Sequence, residues 1–231
     1  MTLDGKKIAI TGAAGSLGSV VVRAALDAGA IVAAIDHAPV PPALCALANV
    51  YEFGGVDLGA KGAADQAMQQ VGAKLGGLDG LVNIAGAFRW ETVEKGDLAT
   101  WDLLFNVNVR TAVAASKAAL PLLSKSDAGR IVNIGAAGAL KAGNGMGAYA
   151  ASKAGVFKLT EALAEELKDR NITVNAILPT IIDTPPNRKD MPDADFSRWV
   201  KPEQIADVIV FLLSDKAQAI TGALIPVAGR V

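Results

Sequence analysis

Two residues of this 231-residue chain carry complementary acid–base chemistry one helical turn apart: Tyr149 and Lys153. At positions i and i+4 of a helix they share one face. A phenol in water titrates near about 10, and a neighbouring ammonium favours its ionised form. Such a pair passes a proton to or from a substrate oxygen while a nicotinamide carbon exchanges a hydride. The place for that nicotinamide is announced upstream, in Thr11-Gly12-Ala13-Ala14-Gly15-Ser16-Leu17-Gly18. Glycines at 12, 15 and 18 permit a tight turn and close approach to a pyrophosphate, whose charge meets the N–H groups opening a helix at Ser16 and Leu17. Asp36 follows about 20 residues on, where a carboxylate accepts hydrogen bonds from the adenosine ribose hydroxyls. The same carboxylate repels a 2′-phosphate, and the glycine turn holds no Arg or Lys. The cofactor predicted is therefore NAD(H) in preference to NADP(H).

Lesser signals line up behind these. Asp57 ends a strand-like run at a position suited to the adenine amino edge. Asn83-Ile84-Ala85-Gly86 ends another, with small residues at Ala85 and Gly86 that let the backbone meet the cofactor. Phe88 and Trp90 follow at once as flat walls for a substrate, and Trp199 stands in a later loop as a candidate closure. A lone cysteine, Cys45, and a lone histidine, His37, leave no ligand set for a metal and no Ser–His nucleophile.

Those residues need a frame. Apolar runs at 7–11, 31–36, 51–56, 80–84, 130–134, 173–178 and 223–227 read as strands. Helical stretches alternate with them at 17–28, 43–48, 62–75, 100–123, 149–170 and 202–213. Alternation of this kind predicts right-handed crossovers and a single doubly wound α/β domain over 1–231, Rossmann-type, with a seven-stranded, mainly parallel sheet and helices on both faces. Hydrophobic residues make up 52% of the chain but aromatics only 5%, with 24 glycines, which suits a sheet covered by closely packed helices. Residues 181–200, with three prolines and many charges, break the rhythm and are predicted to be a substrate loop. A net charge of −1 without charge blocks gives no footprint for nucleic acid. No apolar stretch has membrane-spanning length, so a soluble, cytoplasmic protein acting on a small molecule is expected.

The ordered series T-G-x-x-G-x-x-G at 11–18, Asp57, N-x-A-G at 83–86, Asn108, Tyr149–Lys153 and Pro179…Thr184 resembles the short-chain dehydrogenase/reductase family over essentially the whole chain. The resemblance implies that Asn108 holds a water of the proton relay. It implies that Lys153 also holds the nicotinamide ribose, and that the segment from Pro179 through Ile182 to Thr184 holds the nicotinamide amide. It further implies dimers or tetramers, assembled through the fourth and fifth helices, whose small residues (Ala112, Ala115, Ala150, Gly155 among them) permit close pairing. Three departures stand out. Gly15 comes one place early with Ser16 where a glycine is usual, the tail at 226–231 lacks an Asp-Gly-Gly ending, and Ala136 occupies the position of the usual catalytic serine. The alanine, the loop from Asp183 through Arg188 to Trp199, and Gly145-Met146 are similar to the dihydropteridine reductase branch of the family. Phe88, Trp90, Met146, Arg188 and Trp199 are accordingly expected at the substrate. Three functions follow as expectations: reduction of a quinonoid dihydropterin or similar activated substrate; reduction of a ketone or 3-oxoacyl group, or alcohol oxidation; and a silent NAD(H)-binding sensor or scaffold.

Overall fold

The computed structural model describes residues 2–231. Seven strands form one sheet: β1 (Lys7–Thr11), β2 (Ile31–Ile35), β3 (Val50–Phe53), β4 (Gly80–Asn83), β5 (Gly129–Ile134), β6 (Ile172–Pro179) and β7 (Leu224–Val227). Their order is β3-β2-β1-β4-β5-β6-β7, and every neighbouring pair is parallel. The helices are α1 (Ser16–Asp27), α2 (Pro42–Cys45), α3 (Ala63–Leu75), α4 (Leu98–Phe105), α5 (Thr111–Leu123), α6 (Gly147–Leu167), α7 (Pro185–Asp190) and α8 (Pro202–Leu213).

The strands are apolar end to end because both faces are covered. Successive side chains divide between two cores. Ile8, Ile10, Val32, Ala34, Val132 and Ile134 face α1 and α8, whereas Ala9, Ala33, Ile35 and Ile131 face α3, α5 and α6. The chain walks outward from β1 to β3 and then returns to β4 beside β1. The carboxyl ends of β1 and β4 therefore part at a switch point, where doubly wound sheets bind ligands.

Local chemistry explains where element boundaries differ from the periodicity. β3 stops at Phe53, short of 56, because Gly54 and Gly55 follow and Gly55 has φ +74°. The helix expected over 100–123 begins at Leu98, where the Asp97 carboxylate accepts from the Ala99 N–H at 2.9 Å. It is interrupted by a π turn, Asn106–Arg110, in which the Thr111 N–H donates to the Asn106 carbonyl. The turn carries Asn108 and Val109 into the interior; π turns are often found at functional sites. The loop expected over 181–200 is pinched at its base by a bridge between Ile182 and Val200 and holds α7 and one 3₁₀ turn, Phe196–Arg198.

Gly18 shows why the first turn tolerates so little. A Cβ there would lie 2.0 Å from the Gly12 carbonyl oxygen, so α1 packs onto the turn backbone to backbone. Gly18→Ala is expected to cost about 2–3 kcal/mol by overpacking, read as a lower urea midpoint. An unchanged midpoint would contradict this packing.

Candidate active site

A cavity of about 750 Å³ opens along the carboxyl ends of β1, β2 and β4. Its floor is the glycine turn and the start of α1: Gly12, Gly15, Ser16, Leu17 and Gly18. Asp36 and Asp57 line one end; Ala85, Gly86 and Ala87 line the other. Thr11, buried and not singled out by spacing, ties the two strand ends together. Its Oγ1 accepts from the Ile84 and Ala85 N–H groups at 3.1 and 3.2 Å. Gly12 sits at φ +69°, and a Cβ there would meet the Ala85 nitrogen at 2.7 Å, so only glycine lets the turn approach β4 this closely.

The cavity fits a dinucleotide. Backbone and small side chains make its floor, a 12-residue helix points its N-terminus along it, and a carboxylate stands at the ribose end. Asp36 is already anchored. Its Oδ2 accepts from the Ala14 N–H and its Oδ1 from the Ala38 N–H, both at 2.9 Å, which leaves a lone pair on each oxygen for sugar hydroxyls. The Asp57 Oδ1 caps its own turn by accepting from Gly59 N–H at 2.9 Å. Asn83 does not reach the cavity. Its amide donates to Ser116 Oγ at 3.0 Å and Asn133 Oδ1 at 2.8 Å inside the sheet, so it fixes β4 against β5 and α5.

At the far end the cavity meets the acid–base pair. Tyr149 and Lys153 lie in the first turns of α6, as their spacing predicts. The Phe88 ring stands edge-on to Tyr149, with centroids 4.9 Å apart. Lys153 is buried, and its Nζ donates to the Ile134 carbonyl at the end of β5 at 2.7 Å. A Cβ on Gly86 would lie 3.5 Å from that Nζ and 2.5 Å from Asn108 Oδ1, which joins the cavity wall directly to the pair. Asn108 is wholly engaged through its side chain. Oδ1 accepts from Ala87 N–H at 2.8 Å, and Nδ2 donates to the Ala87 carbonyl at 3.0 Å and to Ser152 Oγ at 2.9 Å. Through its side chain the amide thus holds the loop after β4.

Burial dominates the electrostatics. It pushes the Tyr149 phenol up to about 12 and the Lys153 ammonium down to about 8. The expectation that the ammonium favours the ionised phenol finds no support in the chain by itself: burial alone shifts both groups, the phenol toward keeping its proton and the lysine toward losing it.

The remaining expected residues separate into two groups. Met146 stands beside the segment after β5, since a Cβ on Gly138 would be 3.4 Å from its Cε. Trp90 leans on the same side, with its indole N–H donating to the Asn144 carbonyl at 2.9 Å. A Cβ on Gly145, at φ +72°, would fall 2.2 Å from the Trp90 ring, so Trp90 is a strut between two loops. Ala136 is buried and offers no hydroxyl. On the other side of Ser16, which lines both hollows, Thr184 caps α7 and with Arg188 lines a second hollow of about 560 Å³. Arg188 makes a two-point pair with Asp183 at 2.5 and 2.8 Å and lies 4.7 Å over the Phe196 ring. Trp199 is corrected from lid to core: it is buried and packs on Phe196 at 4.8 Å. Ile182 packs into the α1–α8 core and Pro179 pairs with Val227 in the sheet.

Fold and cavity together define a nucleotide-binding oxidoreductase of the doubly wound kind. The family model described as enoyl-(acyl carrier protein) reductase matches residues 12–229. The chain is 34% identical to the 3-oxoacyl-(acyl-carrier-protein) reductase of Thermotoga maritima, over 99% of this chain and 98% of that one. It is 36% identical to inactive 2-(S)-hydroxypropyl-CoM dehydrogenase 2 of Xanthobacter autotrophicus, over 90% and 97%. Among solved structures, a short chain dehydrogenase from Mycobacterium smegmatis superposes with a TM-score of 0.87 at 31% identity, covering 100% of this chain and 94% of that one. The chain belongs to the short-chain dehydrogenase/reductase family, oxidoreductases that use a nicotinamide cofactor.

An ammonium that titrates near pH 8 at the mouth of a site for a diphosphate has a kinetic signature. kcat/KM for the cofactor reports ionisations of the free enzyme, and it is expected to fall along a limb near pH 8 as Lys153 loses its proton. A plateau persisting to pH 10 would refute that placement.

Proposed function

We propose that this protein is an NADH-dependent reductase of a carbonyl group, with a 3-oxoacyl compound or similarly activated ketone as substrate and Tyr149 as proton donor. One observation carries the reading: Tyr149 and Lys153 share the first turns of α6, and Gly86 of the cofactor cavity borders Lys153 while Phe88, two residues on, stands edge-on to Tyr149. When bound, the nicotinamide supplies the hydride. Lys153 and the backbone of the glycine turn hold the dinucleotide, and Asp36 takes the ribose hydroxyls. A carboxylate there disfavours a 2′-phosphate, which supports NADH over NADPH. Tyr149 gives its proton to the oxygen that becomes the alcohol. A phenol held near 12 still loses its proton readily to an alkoxide, but it is a reluctant base at neutral pH. That asymmetry favours reduction over oxidation.

Ala136 sets the substrate class. With alanine at 136 in place of a hydroxyl, the carbonyl oxygen is left with one donor, Tyr149. Ser152 is no substitute, since its hydroxyl is buried and already donates to the Tyr149 carbonyl at 2.7 Å. A single donor suits a carbonyl that is already electrophilic and leaves an unactivated ketone slow. The same alanine favours a second reading, reduction of a quinonoid dihydropterin. The relatives described above carry oxo and hydroxy substrates in their names, which supports the carbonyl reading better. The inactive relative keeps the silent binder in play as a third outcome.

Assembly into a dimer or tetramer is part of the proposal, on a changed basis. Gly155 approaches Val109 of the same chain, since a Cβ there would be 3.0 Å from the valine, and Ala112, Ala115 and Ala150 are buried. Those four therefore pack within one chain, while Ala151 is exposed and Ala114, Ala118 and Ala154 are half-buried, open to a second copy. Exposed Leu98 and Phe105 of α4 with Val113 of α5 are further apolar surface for a second copy, whereas exposed Leu103 lines the cofactor cavity.

NADH consumption is to be followed with a 3-oxoacyl thioester, simple ketones and quinonoid dihydropterin. Turnover of the thioester is expected; the pterin alone turning over would transfer the assignment to the second reading, and no turnover of any of them to the silent binder. Tyr149→Phe should cut kcat roughly 100-fold or more while NADH affinity, read by fluorescence, is retained. Ala136→Ser should raise simple-ketone turnover roughly tenfold or more; no gain would mean that the missing hydroxyl is not what limits the site.

A further inference from the structure

Ser152 is the polar group nearest the acid–base pair for which the proposed reaction has no use. It is 2% exposed, too deep to touch a substrate, yet every hydrogen-bonding direction it uses leads to the reactive residues. Its one proton goes to the Tyr149 carbonyl at 2.7 Å, and its oxygen accepts from Asn108 Nδ2 at 2.9 Å. Asn108 grips the Ala87 peptide from both sides, N–H and C=O. Ala87 in turn separates Gly86, which borders Lys153, from Phe88, whose ring abuts Tyr149. The contacts close a ring: Ser152, Asn108, Ala87, Phe88, Tyr149 and back to Ser152.

We propose that Ser152 is a positioning residue for the acid–base pair, acting through Asn108 to hold the loop after β4 at the distance that seats Phe88 on Tyr149 and Gly86 beside Lys153. The inference rests on Tyr149 being the proton donor. A hydroxyl suits the position because it alone is short enough to sit inside the first turn of α6 and both donate and accept there. Without it, the second N–H of a fully buried amide has no acceptor, and Asn108 must rotate or shift to find one. The ring then opens at Ala87, and the error lands at the reacting atoms, not at the cofactor's adenine end.

The test compares Ser152→Thr with Ser152→Val, a pair of one shape that differs by the hydroxyl, with Ser152→Ala alongside. The valine and alanine variants should lose roughly tenfold in kcat with KM for NADH within about twofold, and the threonine variant should keep most of the turnover. A purely stabilising hydroxyl would lower the melting temperature and leave kcat alone, which would overturn the proposal. A double-mutant cycle then asks whether Ser152 works through Asn108. In an Asn108→Ala background, Ser152→Val should add no further loss, and independent, multiplying losses would overturn the proposal. Should the valine variant fail to fold, the threonine variant decides: turnover as low as a tenth of wild type would overturn the proposal, and near-wild-type turnover would support it. Wild-type protein inert toward every substrate would instead defeat the carbonyl-reductase reading on which this rests.

Discussion

A lysine ammonium drawn out of water and left on one main-chain carbonyl is the constraint around which the site is organised. Lys153 is 6% exposed, and among the described residues its ammonium donates to Ile134 at the end of β5 alone. Burying a cation this way is unfavourable unless other terms oppose it, and here the packing of α6 does so: Val156, Phe157, Leu163, Ala164 and Leu167 lie on its buried side. The helix is held onto the sheet for much of its length, so its first turns cannot retreat to solvate the charge. Because the strand order parts at β1 and β4, the same ammonium comes to rest at the mouth of the cavity that the glycine turn floors.

Desolvation acts in opposite directions on the two members of the pair. It removes the proton from lysine more easily and from tyrosine less easily. In the chain by itself the result is a neutral phenol beside a cation, a resting state prepared to give a proton. The neighbourhood reinforces it. The Phe88 ring stands against the phenol, and Ala136, at the end of β5, brings no hydroxyl. The missing serine and the raised phenol pKa thus belong together, as both follow from making this end of the pocket apolar.

Much of this was legible in the residues themselves, for identifiable reasons. Strands buried on both faces leave continuous apolar runs, so the sheet could be read from periodicity, and Tyr149–Lys153 and the glycine turn advertise themselves by fixed local spacing. What the sequence hid was tertiary. Trp199 reads as an aromatic in a charged loop, but its burial depends on Phe196 and the tail around Gly229 closing over it. Asn83 reads as a strand-end polar residue, and only the β4–β5 register turns it inward onto Asn133. Arg188 reads as a free cation because its partner, Asp183, is brought to it by the α7 cap. The π turn at Asn106–Arg110 has no sequence signature, yet it decides where Asn108 points. Thr11 stands in the glycine motif with no role of its own that spacing reveals, since it acts through hydrogen bonds to the distant end of β4.

The central claim is that burial keeps the Tyr149 phenol protonated well beyond the ordinary range. The chain has two tyrosines, so ring-labelled tyrosine gives two carbon resonances in an NMR titration, and the one missing from Tyr149→Phe belongs to Tyr149. In the cofactor-free protein that resonance should keep its protonated shift through pH 11, in line with a value of about 12. A midpoint at or below pH 10 would contradict the account, because the ammonium would then outweigh desolvation and the resting state would not be a proton donor.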